Sequence, residues 1–106
     1  MALLNGTESI EQVEQVICDF FGVNIEDVYG RNKKSAVALA RHFLIYILNT
    51  HYSYSYKQLM SRYNRCFRSI SRSMNIMRYY TVHDKQYSGY YLLIFGVPTI
   101  SHFTKS

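Results

Sequence analysis

The chain has a single proline, Pro98, so nearly all of its length is free of the strongest helix breaker. It has no tryptophan and two cysteines, Cys18 and Cys66. Two thiols so far apart make neither a disulfide framework nor a zinc site, and both are expected to be ordinary semi-buried residues. Long apolar runs are missing too. The longest, Ala36 to Leu48, is interrupted by Arg41 and His42, which is too short and too charged to span a bilayer. The opening Met-Ala-Leu-Leu-Asn-Gly has no basic n-region, so no signal peptide is expected and a reduced, cytoplasmic setting fits. No Gly-rich phosphate loop and no Gly-x-Ser-x-Gly elbow occurs. His42, His51, His83 and His102 are scattered without ligand spacing. Neither a metal nor a cofactor is expected, and no constellation supports an enzyme.

The most informative shortage is of acids. Residues 28–83 contain none, yet hold ten basic side chains: Arg31, Lys33, Lys34, Arg41, Lys57, Arg62, Arg65, Arg68, Arg72 and Arg78. Residues 1–27 hold six acids and no lysine or arginine. A fold built from these two stretches should have one acidic and one strongly positive side, the field of a nucleic-acid binder. An acidic protein partner would answer the same field, so charge alone leaves both open. Hydrophobic residues make up 48% and charged ones 18%, which excludes wholesale disorder, and 106 residues suit one domain.

The pattern is helical throughout. Ser9-Ile-Glu-Gln12 is a capping box, and Ile10, Val13, Val16, Ile17, Phe20 and Phe21 follow at helical spacing until Gly22 stops the helix. The acids of this helix are expected on its solvent face. Asn24 is placed to cap a short helix over Ile25–Tyr29. A basic loop, residues 30–35, ends in Ser35 as N-cap of a third helix over about residues 36–49, apolar on most of its circumference and therefore central. His51 to Tyr56 alternates tyrosine and serine like a strand, but Ser55-Tyr-Lys-Gln58 is a second capping box, so a turn is expected there. It would start a helix over about 56–62, followed by a fifth over about 66–79 and a last one capped by Thr81 or Asp84. The tyrosines at 52, 54 and 56 are expected to pack in the core and turn; stacking on single-stranded bases is the alternative.

The short fourth helix, the turn and the fifth helix form a candidate helix-turn-helix at 56–78. Arg65, Arg68, Ser69, Arg72 and Asn75 share one arc of the fifth helix, suited to the major groove because arginine's fork pairs with guanine O6 and N7. Lys57, Arg62 and the loop cations Arg31, Lys33 and Lys34 would hold phosphates, as would Arg41 from the central helix. Phe67 has two uses open to it: contact with a thymine methyl, or packing inside, which its wheel position favours.

The order of these parts resembles domain IV of the bacterial replication initiator DnaA, over about residues 9–78. Val16 to Asp27 is similar to that family's V-x-x-Y-Y-x-V-x-x-x-D-L opening, and Ala40-Arg41 to its A-R-Q. Lys33 falls where the family's basic loop reaches toward the minor groove. The family signature Gly-Gly-Arg-Asp-His-Thr-Thr-Val meets Asn64 to Ile70 with one residue deleted. Arg65, Ser69 and Ile70 are compatible with it. Cys66, Phe67 and Arg68 stand where the family has aspartate, histidine and threonine, so recognition of the usual initiator box does not carry over.

The resemblance implies an all-α, single-domain bundle of about six helices, also of the Trp-repressor kind, that binds double-stranded DNA sequence-selectively in replication or transcription, without the family's ATPase domain. The domain is expected at residues 9–95, with a flexible N-terminal tail at 1–8 and a C-terminal tail at 96–106. The alternatives are a module docking an acidic protein partner or forming a homodimer, and an RNA or single-strand binder.

Overall fold

Two serines do what their spacing predicts. In a computed structural model that describes residues 3–30 and 34–95, Ser9 Oγ accepts from the Gln12 amide at 3.3 Å while Gln12 Oε1 accepts from the Ser9 amide at 2.8 Å. This box starts α1 (Ile10–Phe21). Ser55 and Gln58 exchange the same pair of bonds at 3.1 and 2.8 Å and start α4 (Tyr56–Tyr63). Gly22, at φ 69°, ends α1 in the left-handed region that a side chain rarely adopts.

Between them lie α2 (Ile25–Tyr29) and α3 (Ser35–Tyr52), and after them α5 (Phe67–His83) and α6 (Lys85–Phe95). All elements among the described residues are helices, as expected. Several boundaries shift. Asn24 occupies the N-cap of α2 but its side chain makes no cap bond. Lys34, not Ser35, is the N-cap of α3, so Ser35 is already helical. That helix runs on through His51 and Tyr52, because Ser53 turns left-handed at φ 61° and closes it with the Tyr54 amide on Leu48 O at 3.1 Å. The alternating Tyr-Ser stretch is thus a helix end and a turn. Asp84, rather than Thr81, caps α6: its Oδ1 accepts from the Gln86 and Tyr87 amides at 2.8 and 3.3 Å. Thr81 lies inside α5, its hydroxyl donating to Met77 O at 2.6 Å.

The apolar circumference of α3 explains its central place. Val37, Ala40 and the unbroken run Phe43–Leu48 are buried, and α1, α2, α4 and α5 all pack on it. Phe43 meets Phe21 at 5.1 Å between ring centroids, Tyr87 at 5.7 Å and Tyr90 at 6.1 Å, so α1 and α6 close over one side of it. The start of the chain, expected as a tail, is instead anchored from Leu3 onward. Leu4 is buried, and the Leu3 and Leu4 amides both donate to Ile94 O at 2.9 Å. Residues 96–106 lie outside the described residues. No helix among the described residues is long and apolar enough to cross a membrane.

Glu14 departs from the expected solvent-facing acids of α1. It is 4% exposed and sits under three donor side chains. Arg62 Nε and Nη2 donate to its two oxygens at 2.9 and 2.8 Å, Tyr63 Oη at 2.7 Å and Tyr29 Oη at 2.8 Å. Burial alone would raise the Glu14 pKa; the bonds from Arg62, Tyr63 and Tyr29 outweigh it and hold the carboxyl below its ordinary value. Burial and the same carboxylate push the Tyr29 phenol up to about 12 and Tyr63 higher still. This cluster ties α1, α2 and α4 together.

Candidate nucleic-acid interface

Helix α4, a three-residue turn and α5 make the helix-turn-helix. The turn exists because Asn64 adopts φ 52°, a left-handed conformation that asparagine tolerates, and the Arg65 amide then bonds Met60 O at 3.1 Å. Arg65 and Cys66 therefore belong to the turn, and α5 starts one residue later than expected. Arg65 thereby leaves the helical arc on which its spacing had placed it.

The inward side of α5 is filled by Ile70, Ser73, Met74 and Met77. Opposite them Arg68, Arg72 and Asn75 are exposed, with Phe67 and Ser71 on one flank. Phe67, Arg68, Ser71, Arg72, Asn75 and Ile76 line one shallow groove along the helix. Phe67 is not packed inside, as its expected wheel position favoured; it is 58% exposed, leaning on Tyr56 with 5.5 Å between centroids. Among the described residues neither Arg68 nor Arg72 enters an ion pair or a side-chain hydrogen bond.

Ser69 lies on the other flank. With Arg41, His42, Arg65, Arg72 and Ser73 it lines a cleft of about 200 Å³ between α3 and α5. Three guanidinium groups and, among the described residues, no acid line this cleft. His42 Nδ1 pairs with Ser73 Oγ at 2.8 Å, and burial, then the charges of Arg41 and Arg72, lower its pKa to about 4. The ring is neutral at neutral pH and adds no charge of its own. The Arg41 pKa is lowered by burial first and by Arg65 second.

The sequence-predicted site residues thus separate. Arg68 and Arg72 face outward on α5, and exposed Lys57 lies on α4. Lys34 is exposed at the N-cap of α3. Arg41 is turned back onto α2, its Nε donating to Val28 O at 3.0 Å. Arg65 donates to Tyr63 O at 3.2 Å and to Gly30 O at 2.5 Å. The fork of Arg62, expected on phosphate, is occupied by Glu14, with Glu11 3.8 Å away. Arg31 and Lys33 lie outside the described residues. Ser71 was missed by the sequence reading; Tyr56, expected to pack in the turn, backs Phe67. Cys66 is exposed rather than semi-buried; Cys18 is buried, and burial pushes its thiol up to about 11. Among the described residues no cluster of three or more His, Cys, Asp or Glu could hold a metal ion.

Residues 10–76 match the family described as the bacterial DnaA protein helix-turn-helix. The chain belongs to that family. It accordingly carries a double-stranded-DNA-binding helix-turn-helix. Over 64 residues it is 27% identical to the chromosomal replication initiator protein DnaA of Pseudothermotoga lettingae, a match covering 60% of this chain and 14% of that protein. Over 54 residues it is 26% identical to the protein of the same name from Acholeplasma laidlawii, covering 51% of this chain and 12% of the relative. The chain thus matches only a small part of these relatives. No solved structure matches it.

Proposed function

We propose that the chain binds duplex DNA sequence-selectively by placing the N-terminal half of α5 in the major groove, as a regulator in replication or transcription in the cytoplasm. It acts by binding rather than by catalysis. Arg68 and Arg72 read guanines with their forked donors, and Ser71 and Asn75 offer further hydrogen bonds to base edges. Lys57, Lys34 and the loop cations Arg31 and Lys33 hold phosphates and set the register. The cleft beside Arg41 and Arg65 receives a backbone phosphate, an anion that two neighbouring guanidinium groups would favour.

The observation carrying this reading is the outward row Arg68–Arg72–Asn75 on the second helix of a helix-turn-helix, in a stretch of sequence without a single acid. Selection of bound duplexes from a random library tests it. A shared sequence should emerge, and its affinity should fall with log salt at a slope of about −5 to −7, for roughly five to eight phosphate contacts. A purified chain that ignores every duplex at low ionic strength overturns the reading.

A further inference from the structure

We infer that Phe67 makes the chain a reader of the 5-methyl group of a pyrimidine, thymine in unmodified DNA, beside the base pair that Arg68 contacts. This rests on the reading of α5 as the groove helix and adds to it a named chemical feature of the site.

A phenylalanine in the first turn of a helix ordinarily packs down. Here the inward positions of α5 are already taken by Ile70, Met74 and Met77. The Phe67 ring stays 58% exposed on the flank of the helix, where it shares a groove with Arg68 and Arg72. It is not free to sweep the solvent. The Tyr56 ring, at the start of α4, backs it at 5.5 Å with 38° between the planes. An apolar, braced ring is therefore presented at the N-terminal end of the helix, the end that approaches bases in helix-turn-helix complexes.

A phenyl ring has no donor or acceptor, so it is blind to N7, O6, O4 and the exocyclic amines. The major-groove edge offers one apolar feature, the C5 methyl of thymine. Guanine, adenine and cytosine would set a polar edge or bare ring against Phe67. The two neighbouring side chains differ by about 100° around the helix, so Phe67 and Arg68 reach different base pairs or opposite strands of adjacent ones. The expected element is a thymine next to a guanine, one read by shape and one by hydrogen bonds.

The test uses the full chain and a duplex recovered from the random library. Each thymine is replaced in turn by deoxyuridine, which removes the methyl and nothing else. One position should lose affinity about fourfold, the value of one buried methyl-sized group. At that position 5-methylcytosine should bind better than cytosine by a similar factor, because it restores the methyl on a different base. Phe67→Ala should abolish both differences while leaving discrimination at the guanines intact, and Phe67→Leu should keep them. The ring is exposed, so the thermal midpoint of Phe67→Ala should stay near that of the parent, which separates lost reading from lost folding. Deoxyuridine tolerated everywhere, equal binding of the two cytosines, or a methyl preference that survives in Phe67→Ala overturns the inference. A chain that binds no duplex at all fails differently: it defeats the groove helix itself.

Discussion

Arg41 of α3 and Arg65 of the helix-turn-helix turn converge on one backbone carbonyl, that of Gly30, with their Nη2 atoms at 3.5 and 2.5 Å. Gly30 closes α2 and opens the basic loop. Two like charges thus share one acceptor at the base of the loop, and they fix where it starts relative to α5. The pair is costly to bring together, and the lowered Arg41 pKa reflects its burial first and the neighbouring charge second. Replacing the fork while keeping the charge isolates the geometry.

Arg65→Lys should therefore weaken duplex binding about tenfold, roughly the net value of one hydrogen bond from a charged group, since an ammonium cannot span the Tyr63 and Gly30 carbonyls. The salt slope should be unchanged, because the charge count is. Titrations at several salt concentrations check both; full affinity in Arg65→Lys means that the charge alone suffices.

Arg68→Ala and Arg72→Ala should reduce discrimination between the selected site and a scrambled duplex by about 1–3 kcal/mol each. Lys57→Ala and Lys34→Ala should weaken both duplexes evenly and flatten the salt slope by about one. Gel shifts at matched salt distinguish these patterns, and equal small effects from all four changes would refute the division.

Glu14→Ala should be far more damaging than any change on the outer face. It strands the Arg62 guanidinium and the buried Tyr63 hydroxyl, for about 3 kcal/mol or more. For a domain of this size that lowers the thermal midpoint by more than about 10 °C. Arg62→Ala should show a similar loss of stability with little change in affinity while folded. An Arg62→Ala chain that melts normally but binds poorly would return this residue to the phosphate contacts.

His42 sets a direction for pH. Its folded pKa, about 4, lies below the ordinary value of 6.5, so the unfolded chain takes up a proton first as pH falls. Stability should be level above about pH 6.5 and decline by about 2–3 kcal/mol between there and pH 4. Glu14, also held below its ordinary value, adds a loss once the pH passes under about 4.5 and continues downward. In His42→Gln, which keeps a polar partner for Ser73, urea midpoints should be flat from pH 7 to about 5; an unchanged slope would assign the decline elsewhere.

What was legible in the sequence was local. Both capping boxes, the Gly22 stop and the apolar girth of α3 are set by residues within a turn or two of one another. The helix-turn-helix followed from a capped short helix and a basic one after it. The burial of Glu14 was not legible, because its partners Arg62 and Tyr63 come from 48 and 49 positions away. The same distance problem hid Leu4, whose apolar side chain looked idle until α6 arrived beneath it. Phe67 was misjudged for another reason. Its spacing from Ile70 points it toward the edge of the buried side, and only the Tyr56 ring, brought against it by the packing of α4, shows that it leans outward.

The stretch held in common with the DnaA family stops at residue 76, seven residues before α5 does. Shared ancestry and mechanical integrity therefore have different borders in this molecule. Anyone excising 10–76 as a portable recognition head would saw through α5, strip Tyr87 and Tyr90 from Phe43, and discard the Leu3–Ile94 clasp that fastens the start of the chain to α6. Grafts should be cut outside that clasp, and labels at the amino end joined through a spacer that leaves Leu4 seated.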